Sequence, residues 1–148
     1  MPAAGRILLR RDFYFLQVFL FLQFGVIINV LSAVTAERGY YMYKNIEKQQ
    51  KLQLKDLVDY MPGQVISKTL VQNDKVSMTV FSFDKGEEIS THAAGGDAMV
   101  TVLEGTGKFT VGGEEFILNE GETLIMPKDI PHAVFGEQRF KMQLTVSF

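Results

Sequence analysis

From Gln64 to Phe148 the chain is a succession of short apolar runs, each stopped by a turn rich in glycine, asparagine or proline. Runs of roughly four to eight residues are too short for stable helices and match the usual length of strands. The last run shows the period directly. Phe140, Met142, Leu144, Val146 and Phe148 alternate with Lys141, Gln143, Thr145 and Ser147, and successive side chains of a strand point to opposite faces of its sheet. One face of this strand is therefore apolar and the other polar. A chain built of many such strands, with no amphipathic helix among them, folds as an all-β sandwich or barrel. An antiparallel jelly roll is the natural closure, because it limits exposed sheet edges.

In chain order, strands are predicted over 64–71 and 76–83, joined by Gln72-Asn73-Asp74-Lys75, whose Asn and Asp side chains readily bond local backbone. Met99–Leu103 is the next strand, Glu104-Gly105-Thr106-Gly107 reads as a turn, and Lys108–Val111 as a further strand. Gly112-Gly113 predicts a two-residue hairpin, since both positions accept φ > 0, with Glu114–Leu118 returning. After a turn at 119–122 come the strand Thr123–Met126, a stiff corner from Pro127 to Pro131, and the strand His132–Phe135. Upstream, Tyr43 to Tyr60 is rich in Lys and Gln; the alternation of Leu52 and Leu54 predicts a short strand followed by a turn capped by Asp56. Leu52, Leu54, Leu57 and Val58 form an apolar segment that a small barrel is expected to leave uncovered. Exposed apolar patches mark interfaces, so a homodimer is expected.

The vocabulary of the chain changes near Met42. Residues 1–41 hold four arginines, two acids and no lysine, whereas residues 42–148 hold eleven basic residues against fifteen acidic ones. The break separates an N-terminal extension, 1–41, from a barrel domain, 42–148, whose motif core is 76–148. Within the extension, 13–34 is a 22-residue run without a charge, and a bilayer span takes ~20 apolar residues. Three readings of it stand. It is a membrane-anchoring helix; it is a cleaved signal, with Arg10-Arg11 before it and the small residues 33–36 after it; or it precedes the native start. The third is favoured, because Glu37-Arg38-Gly39 back-translates to a purine run resembling a bacterial ribosome-binding site just ahead of Met42. It makes the barrel cytoplasmic, whereas a retained 13–34 makes it a single-pass membrane protein. The net charge of −2 and pI of 5.7, without clustered Lys and Arg, argue against a nucleic-acid partner. There is no cysteine, hence neither a disulfide nor a thiol nucleophile.

Only two histidines are present, each in a glycine-marked segment. Gly86, His92 and Gly105 space the first segment; Gly121, Pro127 and His132 space the second. The pairing resembles the two motifs of the cupin superfamily. The first of these is a His-x-His followed by Glu, between two glycines. The second is a Gly, then Pro-x-Gly, then His and Asn. The chain departs from the pattern at Ala94 (for the second His), Ala98 (for Glu), Asp129 (for Gly) and Phe135 (for Asn). The resemblance covers roughly Pro62 to Phe148. It implies the double-stranded β-helix of a small stand-alone bacterial cupin, with His92 and His132 on neighbouring strands inside the barrel.

Positions 92, 94, 98, 100 and 102 share one parity and so one face of a strand. A ligand pocket beside the histidines is expected, lined by Met78, Ala94, Ala98, Val100, Val102 and Met142. The resemblance also implies one divalent transition metal, but two of the four ligand positions are empty, and zinc-like ions take three or four protein ligands. Asp97 is the candidate third ligand, provided the residues 93–96 bulge enough to turn it inward. Two functions follow. One is a metal-dependent enzyme of dioxygenase or isomerase type, with His92 and His132 as ligands and Asp97 as third ligand or base. The other is a module that binds a small molecule without metal, and Ala94 and Ala98 favour it. Other chemistries fail: Gly105-Thr106-Gly107-Lys108 lacks phosphate-loop spacing, and no G-x-S-x-G nucleophile elbow is present.

Overall fold

The computed structural model describes residues 42–148, and the predicted membrane or signal run at 13–34 lies outside them. Eight strands are present: β1 (Val65–Gln72), β2 (Val76–Phe83), β3 (Glu88–His92), β4 (Asp97–Val111), β5 (Glu114–Asn119), β6 (Thr123–Met126), β7 (His132–Phe135) and β8 (Phe140–Ser147). All pairings are antiparallel. One sheet runs β1-β2-β8-β4-β6 and the other β5-β4-β7-β3, so β4 belongs to both. The jelly-roll expectation therefore holds. Among the described residues no helix is long and apolar enough to cross a membrane.

The turn expected at 104–107 is absent, because β4 continues through it as one 15-residue strand. Its register against β8 slips by one residue between Val102 and Glu104. Ahead of the slip the even residues Ala98, Val100 and Val102 are buried; beyond it Gly107 and Phe109 are. A bulge inserts one unpaired residue and bends the strand, which lets β4 leave one sheet for the other with its apolar side still inward. Gly105 sits at this bend with φ +77°, opposite Phe140. A Cβ there would lie 2.5 Å from the Arg139 carbonyl oxygen, and one at Gly107 would meet the Phe140 ring at 2.6 Å. The glycines that read as a turn are thus close approaches, of Gly105 to the Arg139–Phe140 backbone and of Gly107 to the Phe140 ring.

The core lies between the sheets. Phe140 stacks on Phe83 (centroids 4.5 Å apart, 16° between planes) and meets Phe109 edge-on at 6.1 Å. Ala98, Val100, Val102, Leu118, Met126, Val134 and Met142 complete this cluster. Antiparallel register explains which residues enter it. Phe81 lies opposite Met142 and Phe83 opposite Phe140, so odd positions of β2 and even positions of β8 share the inner face.

The opposite, outer face of the first sheet has a second cluster built on Val58, Leu70 and Val80, with Leu54, Leu57, Ile66, Met78 and Leu103 against it. The strand expected at Leu52–Leu54 does not form; a 3-10 turn, Leu54–Leu57, crosses this face instead. Val58 is buried against the chain's own sheet, Leu54 and Leu57 pack there half-buried, and Leu52 is half-buried. The crossing segment is tied down by polar contacts. Ser82 Oγ donates to the Asp59 carbonyl at 2.7 Å, and Lys141 Nζ donates to the Lys55 carbonyl at 2.8 Å. Lys141, expected outward on its strand, is outward but buried, its ammonium 4.8 Å from the centre of the Tyr60 ring. A desolvated cation gains from a ring face as well as from the carbonyl. Tyr60 in turn donates to Glu104 at 2.8 Å, and Lys55 pairs with the same carboxylate at 3.7 Å.

Two other turns form as expected. Asn73 Oδ1 accepts the N–H groups of Lys75 and Val76 at 2.8 and 2.9 Å, and Gly112 and Gly113 take positive φ between paired Val111 and Glu114.

Two outcomes are expected. Gly105→Ala combines left-handed backbone with a backbone clash, so it should cost about 2–4 kcal/mol in chemical denaturation. Gly95→Ala, with nothing within 4 Å of its added Cβ, should cost well under half of that; equal losses would refute the bend. Burial first, and then the bond to Glu104, raise the Tyr60 phenol well above its ordinary value. Its contribution to stability is complete below the unfolded value of roughly 10 and is lost as pH climbs from there toward the folded value. Denaturation midpoints of wild type should fall across that window, and those of Tyr60→Phe should fall less.

Candidate functional site

β7 lies between β4 and β3, and it brings the two histidines together. His132 pairs with Val111 on one side and with His92 on the other. The β3–β7 register slips by one residue between Ile89 and His92. Ile89, opposite buried Val134, packs against the inner cluster. Without the slip, alternation would carry His92 to the other face. The extra residue at Ser90-Thr91 restores it to the side of His132, a bulge re-aiming a side chain.

The rings stand edge to face with centroids 4.5 Å apart. His132 is 4% exposed, whereas His92 is open to solvent. Each ring is fixed in the same way. His92 Nδ1 lies 2.9 Å from the Ser90 carbonyl oxygen, and His132 Nδ1 lies 2.9 Å from the Ile130 carbonyl oxygen. A carbonyl oxygen only accepts, so both Nδ1 atoms carry the proton, and in a neutral imidazole the other nitrogen is then a bare lone pair. Among the described residues neither Nε2 has a hydrogen-bond partner. Yet no buried side-chain nitrogen or oxygen among the described residues lacks a hydrogen bond. The Nε2 of buried His132 therefore keeps an opening to solvent.

The remaining predicted site residues fall into three groups. Ala98, Val100, Val102 and Met142 face the same interior as His132, but each is at most 1% exposed. Buried Met126 and half-buried Leu124, Leu144 and Val146 pack in the same cluster. Ala94 alone of the expected lining is half-buried near the opening. Met78 is on the wrong face: it pairs with Thr145, not Met142, and joins the outer cluster. The expected lining is thus divided between the inner cluster and, for Met78, the outer face of the sheet.

Asp97 does not turn inward. It pairs with Ser147, is exposed, and its Oδ1 accepts the Lys128 N–H at 2.9 Å. Among the described residues no three His, Asp or Glu side chains come together as a metal-binding group. Asp97 instead pins the corner from Pro127 to Pro131. That corner is held again by Asp129 N–H to the Ala94 carbonyl at 3.0 Å and by Gly112 N–H to the Pro131 carbonyl at 2.9 Å. Asp129 stands at φ +60°, which explains a glycine at this position in the motif; Asp is among the few residues that tolerate it. Its carboxylate makes no hydrogen bond among the described residues, and it orders the corner through its backbone. The carbonyls of Ser90 and Ile130 carry no sequence signal at all.

Two surface hollows lie away from the histidines. One, of about 640 Å³, is bordered by Lys44, Asn45, Val58, Met61 and Lys68. The other, of about 280 Å³, is bordered by Gln53, Leu103 and Glu120.

The Cupin domain family matches residues 79–147. A conserved Streptococcus pyogenes protein of unknown function is 41% identical and superposes with a TM-score of 0.71, over 74% of this chain and 96% of that one. A cupin superfamily protein from Desulfitobacterium hafniense is 31% identical with a TM-score of 0.69, over 72% of this chain and 97% of that one. A cupin 2 conserved barrel domain protein from Leptotrichia buccalis is 45% identical with a TM-score of 0.65, over 66% of this chain and 47% of that one. No curated protein matches.

Asp97→Ala should free the corner that carries the Ile130 carbonyl. The expected result is a mixed tautomer at His132, read from its ring ¹⁵N shifts, an unchanged His92, and a loss of about 1 kcal/mol. Asp97→Asn keeps an acceptor oxygen and should restore the His132 signals. Identical His132 spectra in all three proteins would show that Asp97 does not position it.

Proposed function

The chain belongs to the cupin superfamily, and from that premise we propose that it binds a small molecule at the mouth of its barrel, with His92 and His132 as the polar contacts. One observation carries this reading: two facing imidazoles, each with a solvent-reachable and unengaged Nε2, set at the edge of an apolar interior. A small-molecule site is typically apolar with few converging polar groups. A buried polar atom left without a protein partner costs stability unless water or a ligand meets it. The Ala98, Val100, Val102 and Met142 layer supplies a rigid floor, and the ligand sits above it.

The same Nδ1 geometry favours a second reading. Histidines that ligate metals are oriented by a hydrogen bond from their other nitrogen, as both rings are here. The donor set fits a divalent transition metal in part: His92 and His132 would hold it, with water or substrate at the other positions. When bound, such an ion supplies Lewis-acid polarisation of an oxygen on the substrate. Under this reading the protein is a metal-dependent enzyme of dioxygenase or isomerase type. The protein's own contribution is to hold the two rings in one tautomer and to keep water from the floor.

The experiment is a ligand-observed NMR screen of the full chain against small polyols, amino alcohols and carboxylates, with the metal content measured on the same preparation. Compounds that bind metal-free protein are expected. His92→Ala, an exposed substitution costing within about 0.5 kcal/mol, should abolish their binding. A metal content near one ion per chain, lost in His92→Ala, selects the second reading. Compounds that bind His92→Ala as tightly as wild type would refute both.

A further inference from the structure

We propose that the His92–His132 pair accepts ligands that donate hydrogen bonds, through hydroxyl or ammonium groups on a short hydrocarbon, and discriminates against carboxylates. This rests on the binding reading above and names its ligand class.

The argument starts from proton inventory. A neutral imidazole has one N–H and one lone pair. In both rings the N–H is spent on a backbone carbonyl two residues earlier in the chain, at Ser90 and Ile130. The site therefore presents two acceptors and no imidazole donor. The rings come from directly opposed positions on adjacent strands with centroids 4.5 Å apart, so one ligand group, or two on neighbouring carbons, reaches both.

A carboxylate brings only acceptors, and its lone pairs would face those of the two Nε2 atoms. It binds only by taking up a proton or by breaking an Nδ1–carbonyl bond. A hydroxyl or ammonium needs neither change. A site that must leave an acceptor unpaired loses roughly tenfold or more in affinity. The neighbours of His132 extend the match. Val111 pairs with it across the strands, and Val134 follows it on the inner face at 3% exposure. Half-buried Val111 suits a hydrocarbon portion, so the ligand is amphipathic: a donor head on an apolar stem.

The test uses two probes with the same number of carbons, propane-1,2-diol and propionate, titrated into the full chain with ¹⁵N-labelled histidine. The pH is set to about 8, where histidine is ordinarily neutral. The diol should shift the Nε2 resonances of both rings while the Nδ1 resonances stay protonated, and propionate should bind at least about tenfold more weakly. His92→Gln, which adds an amide N–H at the exposed position, should raise propionate affinity relative to the diol. Propionate binding wild type as tightly as the diol, or either ring found protonated at Nε2, would overturn the inference and leave the binding reading in place. Silence of both rings toward both probes would overturn the binding reading, and this inference with it.

Discussion

Strand β4 is the member on which the rest of the molecule depends. Its first half pairs with β8 and β6, and its second half pairs with β5 and β7, so it is the hydrogen-bonded seam between the sheets. A strand that keeps its parity while changing sheets would carry its apolar side out of the core. The one-residue slip after Val102 prevents this, and the glycines beyond it admit Phe140 to the gap. The aromatic group of Phe83, Phe109 and Phe140 then takes one ring from each of three strands. Replacing such a ring with alanine typically costs about 3–5 kcal/mol, and here it would remove contacts from both sheets together.

The outer face of the first sheet shows how a small barrel covers what its strands expose. Val80 and Leu70 would be open to water on a bare sheet; the stretch from Leu54 to Tyr60 lies across them. The same stretch explains why one polar position of β8 is buried. Beneath this cover a carbonyl and a ring face meet the Lys141 ammonium in place of water. Leu54, Leu57 and Val58 are part of the fold's own packing.

The histidine pair depends on a second register slip, in β3, and on the corner held by Asp97 and Asp129. Neither acid touches the rings. Both act through backbone N–H groups that fix the corner carrying the Ile130 carbonyl, which in turn fixes His132. The result is a pair whose protonation pattern is set by main chain rather than by charged side chains. That suits a site whose specificity comes from hydrogen-bond direction and not from net charge.

The sequence alone determined the all-β class, most strand positions, and the Asn73 and Gly112-Gly113 turns. Each follows from period-two alternation or from turn chemistry, which are local. The resemblance supplied the pairing of the two histidine segments. Tertiary structure alone decided the rest. Gly105 and Gly107 read as a turn because glycine marks both turns and close approaches, and only the partner ring tells them apart. Met78 was assigned to the wrong face because the relative register of two strands is a property of their pairing, not of either strand. Asp97 was a plausible ligand until the fold placed the Lys128 N–H beside it. The tautomers of the two histidines were beyond reach of the sequence, because the atoms that set them are backbone carbonyls, which every residue has.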